Sequence, residues 1–581
     1  MIFLLVFHTL VFSYWVFHIQ SLVDAALGMR NVGERDSASG IDWVIQGVRG
    51  LSLMRLRRPL MALFSMALLC SVGFSAASVQ ARSLVLAIQG EPETGFDPIM
   101  GWGRYGHPLF QSTLLRFDPQ MNLQGDLATS WVLSDDRLVW RITLRDDAVF
   151  SDGTPLTAED VVFTFNTARD ADGLADVKAL KQARVVNDHT VELVLNKPRI
   201  TFLNELVSLG IVPKATYGQG YARHPVGSGP FQMVEWREGA QLVVKPNPYW
   251  YGQSIPFERV TFVFGGEQTG LTLARTGQAQ MVAVPPAQAD QPPEGMHLLS
   301  VKSVDNRGIA FPVVPAEGQT TVSGAPIGNR VTADRAIRVA VNQGLDRDAL
   351  VQLALNGHGR PALGPVDGLP WNNPQAHQVS YDPDAARKTL NAAGWVDQDG
   401  DGIRERDGVK ARFKLYYAAA DSTRQALALG AAQQLALIGI QVEPVGASWN
   451  EIKHYMHQSP VVMGWGALSA GEMRNLYSGA TAGQGYFNTG FYQNAEVDQH
   501  MAQAEAAASY EDSLAQWQAA QWDGHTGFGV KGDAPWAWMV NLQHTYWVSD
   551  CLETGPLQIH PHGHGFPITH DLPSWRWTCE P

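Results

Sequence analysis

"LATSWVLSDDRLVWRITLRDDAVFSDGTPLTAEDVVFTFN", residues 127–166, holds a strand, a turn and a helix start in one short run. Trp140, Ile142 and Leu144 alternate with Arg141, Thr143 and Arg145. That period of two predicts a strand with one buried face and one solvated face. Further on, Thr157 precedes an apolar-periodic run and Asp160 stands three positions later. This is close to a capping box and predicts a helix from about residue 158.

Working outward, "SLVLAIQG" after Arg82 has strand character and runs into the turn-rich "EPETGFDPIMGWG". "HTVELVLNK" and "QLVVKPNPYW" alternate again. The second half is richer in helix. "TADRAIRVAVNQGLDRDALVQLALNG" has helical spacing, and "DPDAARKTLNAAGW" reads as a capped helix stopped by Gly394. "ARFKLYYAA", "DSTRQALALGAAQQLALIG" and "IQVEPVGA" form strand, helix and strand, the pattern of a parallel βαβ unit. No internal repeat interrupts this α/β alternation.

The chain has 581 residues, too many for one compact core. Hydrophobic residues are 45% and charged ones 17%, as in a globular protein. A net charge of −13 argues against nucleic acid as a partner. Residues 54–81 read as a signal peptide. Arg55, Arg57 and Arg58 form the basic start, an apolar stretch follows, and "VQA" ends a cleavage site before Arg82. A lipid anchor on Cys70 is not expected, because Leu69 precedes it where a small residue is needed. Residues 1–53 should not precede such a signal. They are either an extension from a misplaced gene start, the favoured reading, or an apolar membrane anchor. After cleavage Cys551 and Cys579 remain, an even pair that an oxidising compartment would join.

Three blocks carry a family resemblance. Besides residues 127–166 they are "VGSGPFQMVEWREGAQLVVKPNPYWYG" (226–252) and "AGWVDQDGDGIRERDG" (393–408). Together they resemble the family-5 solute-binding proteins of ABC importers, the peptide- and nickel-binding group. The resemblance implies a two-lobed periplasmic-binding-protein-like α/β fold (type II, cluster C) with an extra insertion subdomain. Residues 82–110, 225–305 and 535–581 would form the discontinuous first lobe, 111–224 the insertion, and 306–534 the second lobe. It further implies a monomeric periplasmic protein without catalysis. Such a protein captures a peptide or metal chelate and presents it to permease and ATPase subunits. No resident cofactor is implied, and nickel would enter only as part of the transported ligand. A sensor without a transport role is the alternative. A secreted hydrolase is a remote one, since G-x-S-x-G, H-E-x-x-H and Walker A patterns are absent from the sequence.

For ligand contact, the loop after the first strand offers Met100, Trp102, Arg104 and Tyr105: apolar walls and a guanidinium suited to a carboxylate. In relatives an aromatic lines the cleft where Trp465 stands. The peptide binders hold the ligand amine with an aspartate near the position of Ser469, where Glu472 is the nearest substitute. The nickel binders use a histidine in the next loop, and residues 470–490 contain none. A different metal contact would need His107 or the histidines of "IHPHGHGF" (559–566): His560, His562 and His564. Pro561 and two glycines favour a structural loop there, with metal contact or a pH switch as alternatives. "DQDGDG" (397–402) follows the start of a calcium loop, but its twelfth position is Gly408 rather than a bidentate Glu. It reads as a tight hairpin whose glycines supply positive φ.

Overall fold

The computed structural model describes residues 82–579, except Gln89, Gly106, His107, Asp172, His564 and Gly565. The expected extension 1–53, the expected signal peptide 54–81, His107 and His564 therefore lie outside the described residues. The backbone of the molecule is a mixed eleven-stranded sheet. Its order is Gln441–Ala447, Arg412–Ala418, Val461–Trp465, Met296–Ala310, Trp536–Ser549, Met281–Ala283, Ser83–Ala87, Arg259–Val263, Gln241–Pro246 and Phe231–Arg237, with Gly359–Pro361 beside Trp536–Ser549.

At one end, Arg412–Ala418 and Gln441–Ala447 run parallel, joined by the helix Ser422–Ala436. This is the βαβ unit that the sequence pattern predicts. The long apolar run at 333–357 instead breaks into two helices, Arg335–Gly344 and Arg347–Leu355. Asp346 causes the break, because its carboxylate accepts from Ala349 N and starts a new helix. At the other end of the sheet, Ser83–Ala87 lies parallel to Arg259–Val263 and Met281–Ala283.

A separate four-stranded sheet, in the order Ala128–Leu133, Val139–Leu144, Thr190–Leu195 and Leu180–Asn187, carries the helix Ala158–Asp170. Trp140, Ile142 and Leu144 are buried and Arg141 is exposed, as the alternation requires. Thr157 N donates to the Asp160 carboxylate at 2.9 Å, closing the helix start. The core of this subdomain draws on residues from Ile99 to Tyr221.

Two long antiparallel strands, Met296–Ala310 and Trp536–Ser549, run from one core to the other. Ala537, Met539 and Val540 pack with the second lobe, whereas Tyr546 and Val548 pack with the first. The expected boundary at residue 535 therefore falls at the edge of a strand that both cores share. The pairing register shifts between Lys302 and Asn306. At that break the C-terminal segment enters: His560 N donates to Lys302 O and Val304 N donates to His560 O, both at 2.9 Å. Cys551 and Cys579 form a disulfide across 28 residues with a Cα–Cα distance of 5.0 Å. No helix among the described residues is long and apolar enough to cross a membrane.

Candidate functional site

The loop after the first strand is shaped by Asp97, which accepts from Ile99 N at 2.9 Å, and by two glycines of positive φ. A Cβ on Gly103 would come within 2.5 Å of Pro108 Cβ, so the turn admits no side chain there. The turn separates its neighbours. Trp102, expected in the ligand wall, is 4% exposed and lies in the first-lobe core between Phe96 and Phe566. Its indole N–H donates to Pro108 O at 2.6 Å, which satisfies the group inside the protein. Met100 is partly exposed, with its backbone against Gly173 of the insertion.

Arg104 and Tyr105 point the other way. Arg104 Nη2 donates to Tyr105 Oη at 2.6 Å, and its guanidinium lies 4.6 Å from the Tyr105 ring centre. It also lies 5.9 Å from the rings of both Trp465 and Phe487, which belong to the second lobe. Trp465 and Phe487 are themselves 5.4 Å apart. The cation thus sits in an aromatic box drawn from both lobes. Among the described residues no carboxylate comes within ion-pairing distance of Arg104. Glu472 is close enough to feel its charge: burial pushes the Glu472 carboxyl up and Arg104 pulls against that. Trp465 is 6% exposed, and its indole N–H is buried without a hydrogen-bond partner among the described residues. Burial likewise pushes the Tyr105 phenol up to about 12.

Behind the box stands a buried polar cluster that the sequence does not signal, because its members are far apart in the chain. Asp305 accepts from His562 Nδ1 at 2.6 Å and His544 Nε2 at 3.0 Å, and pairs with Arg307. His544 Nδ1 meets His560 Nδ1 at 3.0 Å. Burial opposes ionisation of Asp305, but Arg307 and then His562 hold its carboxyl well below the usual range. His560 and His562 are therefore buried parts of the strand crossing, and His562 also packs its ring 5.8 Å from Tyr105. Among the described residues the histidines do not join a group of three converging metal ligands; Asp397, Asp399 and Glu405 do.

Ser469 faces the insertion rather than the box. Asn204 Nδ2 donates to its hydroxyl at 2.7 Å. Next to it, Asp176 and Arg199 of the insertion meet Arg474 and Glu505 of the second lobe. Arg199 Nη1 donates to Asp176 Oδ1 at 3.0 Å, and Arg474 also pairs with Asp176. Arg199 Nε and Arg474 Nε each lie 3.7 Å from a Glu505 oxygen. Burial works against the charge on Asp176, yet Arg199 and Arg474 hold its carboxyl well below the usual range. This ionic seal joins the two sides of the cleft. Neither it nor Phe487 is legible in the sequence: a lone Phe, Arg or Glu carries no spacing signal.

Two lobes sharing crossing strands, with a box between them built from both, define a solute-binding protein that closes around its ligand. The family of bacterial extracellular solute-binding proteins, family 5, matches residues 122–488, and the chain belongs to it. Protein XP55 of Streptomyces lividans is 32% identical over 437 residues, covering 72% of this chain and 77% of XP55. The oligopeptide-binding protein AppA of Bacillus subtilis is 25% identical, covering 78% of this chain and 89% of AppA. The crystal structure of NikZ from Campylobacter jejuni in complex with Ni(L-His) superposes with a TM-score of 0.74 at 22% identity, covering 85% of this chain and 99% of NikZ. The chain is thus similar to ABC-transporter substrate-binding proteins, which act with a permease and an ATPase.

Proposed function

We propose that this protein is the binding subunit of an ABC importer for a small carboxylate-bearing solute, either a nickel chelate of an amino acid or a short peptide. The observation that carries the reading is the Arg104 guanidinium, held between Tyr105, Trp465 and Phe487 without a described carboxylate partner. A ligand carboxylate completes that site, and the buried Trp465 N–H supplies a second donor beside it. Burial pushes the Glu472 carboxyl up, so a ligand amine or a bound cation beside it would favour its ionised form. The likeness to NikZ supports the chelate, and the likeness to AppA supports the peptide. The direct contact of Asn204 with Ser469 closes the cleft beside the box and favours a compact ligand over an extended one.

The test is calorimetric titration of the chain from Arg82 onward with nickel alone, nickel with excess histidine, and di- and tripeptides. One of the last two binds, and Arg104→Ala weakens it by about 10- to 100-fold, the loss of one charged bidentate contact. Equal binding by Arg104→Ala removes the carboxylate reading.

A further inference from the structure

The hairpin at 397–410 lies in the second lobe, and ligand capture does not use it. Glu405–Arg406 pairs with Val409–Lys410, and Gly400, Gly402 and Gly408 all have positive φ, as the sequence predicts. The turn before it folds around Asp397, which accepts from Gly400 N at 2.8 Å and Gly402 N at 3.0 Å. Asp397, Asp399 and Glu405 each offer one carboxylate oxygen, and these oxygens all lie within 4.8 Å of one another. Three oxygens within 4.8 Å of one another share a centre no more than about 2.8 Å from each, so a small movement of the exposed turn brings all three to the 2.3–2.6 Å of a bound calcium ion.

A second observation separates this from an ordinary acidic turn. Glu405 is 9% exposed and folds beneath the loop. Its Oε1 accepts from Gln398 N at 2.7 Å. Its Oε2 is buried and has no hydrogen-bond partner among the described residues. A buried carboxylate oxygen without a donor is costly, and two more carboxylates beside it raise the cost. The nearby cation does not reach it. Lys410 Nζ pairs with Asp399 Oδ2 at 2.8 Å and with Asp401, on the open side of the loop.

We propose that Asp397, Asp399 and Glu405 form a site for a calcium ion, with Glu405 as the buried ligand. The donors are all oxygen, which selects a hard cation. A flexible loop with room for waters on its exposed side suits calcium better than the strict octahedron of magnesium. Lys410 competes for Asp399, so the affinity belongs to the range of extracellular modules, about 0.1–1 mM. Bound calcium would tie the turn to the short strand Glu405–Arg406.

Terbium titration tests this on the full chain from Arg82 onward. Trp395 stands two residues before Asp397 and serves as the sensitiser. Excitation of tryptophan yields saturable terbium emission that millimolar calcium displaces and millimolar magnesium displaces poorly. Glu405→Gln, nearly isosteric, weakens binding at least tenfold. Lys410→Met, which keeps the length of a half-buried side chain and removes its charge from Asp399, tightens it severalfold. Absence of saturable emission overturns the site. So does binding that neither variant alters, which marks an adventitious ion only. The cleft contributes nothing to this readout, so the site stands or falls apart from the ligand's identity.

Discussion

Replacing Arg474 by Ala tests whether the ionic seal holds the cleft shut. Arg474 lies on the second lobe and reaches Asp176 of the insertion, with Glu505 Oε1 at 3.7 Å. When the lobes part, both sides face water, so the contacts count only in the closed form. Buried charge-assisted contacts contribute about 1.5–3 kcal/mol each. The Arg474 and Asp176 side chains are each 27% exposed, which places their pair at the lower end, and the 3.7 Å contact adds little. Asp176 keeps Arg199, so the loss is about 2 kcal/mol. That moves the closed-to-open ratio by about 30-fold, and ligand affinity falls by up to the same factor. Small-angle scattering of the ligand-free variant reports a larger radius of gyration, and calorimetry reports the weaker binding. Arg474→Lys keeps the charge without the fork and falls between. Affinity within twofold of the original, together with an unchanged scattering curve, would refute the seal as a closing device.

Burial and then Asp176 push Glu205 up to about 7. The folded protein holds this proton over a range where the unfolded chain has lost it. The stabilisation is complete below about pH 4.3 and is lost as pH rises toward 7. Melting curves at pH 4.5 and 7.5 should converge in Glu205→Gln; an identical pH slope in the variant contradicts the assignment. Asp305→Asn strands Arg307 and loosens two histidines, and destabilises by about 3 kcal/mol in urea unfolding. An unmoved midpoint would show that the cluster does not hold the strand crossing. Burial lowers the His562 pKa, so stability tied to that ring is lost as pH falls below about 6.5, where the unfolded ring takes a proton. His562→Asn should flatten that acid limb. Replacing Cys551 and Cys579 by Ser releases a 28-residue loop and costs about 3.5 kcal/mol. No change on substitution would leave the segment held by the packing of Phe566 and Trp575 alone.

Local structure was legible where chemistry repeats along the chain. The alternation at Trp140, Ile142 and Leu144, the Thr157–Asp160 helix start and the βαβ unit all follow from short-range rules. The site was legible only in part. Arg104, Tyr105 and Trp465 stand in the stretches that the residues single out, and the fold brings them together. Trp102 lies two residues from Arg104, yet the glycines on either side turn it into the core. Alternation in a loop has no fixed face, so the neighbours of a cleft residue carry no guarantee. The His-Asp cluster was illegible for another reason. Asp305 and His562 are 257 residues apart, and only the crossing of two strands makes them partners. Pro561 and the glycines mark 559–566 as a loop, but nothing in it names Asp305.

The strand Trp536–Ser549 is a late piece of the chain, yet its first half lies in one core and its second half in the other. Ser83–Ala87 reaches that strand through Met281–Ala283. A chain growing from its N-terminus therefore makes nearly every other strand before the one that joins them. Until then the large sheet is in two parts, each with an open edge, and neither core is sealed. The order of synthesis therefore delays the finished fold until the chain is nearly complete. By the same logic, a stop codon ahead of residue 536 removes a wall from both lobes at once.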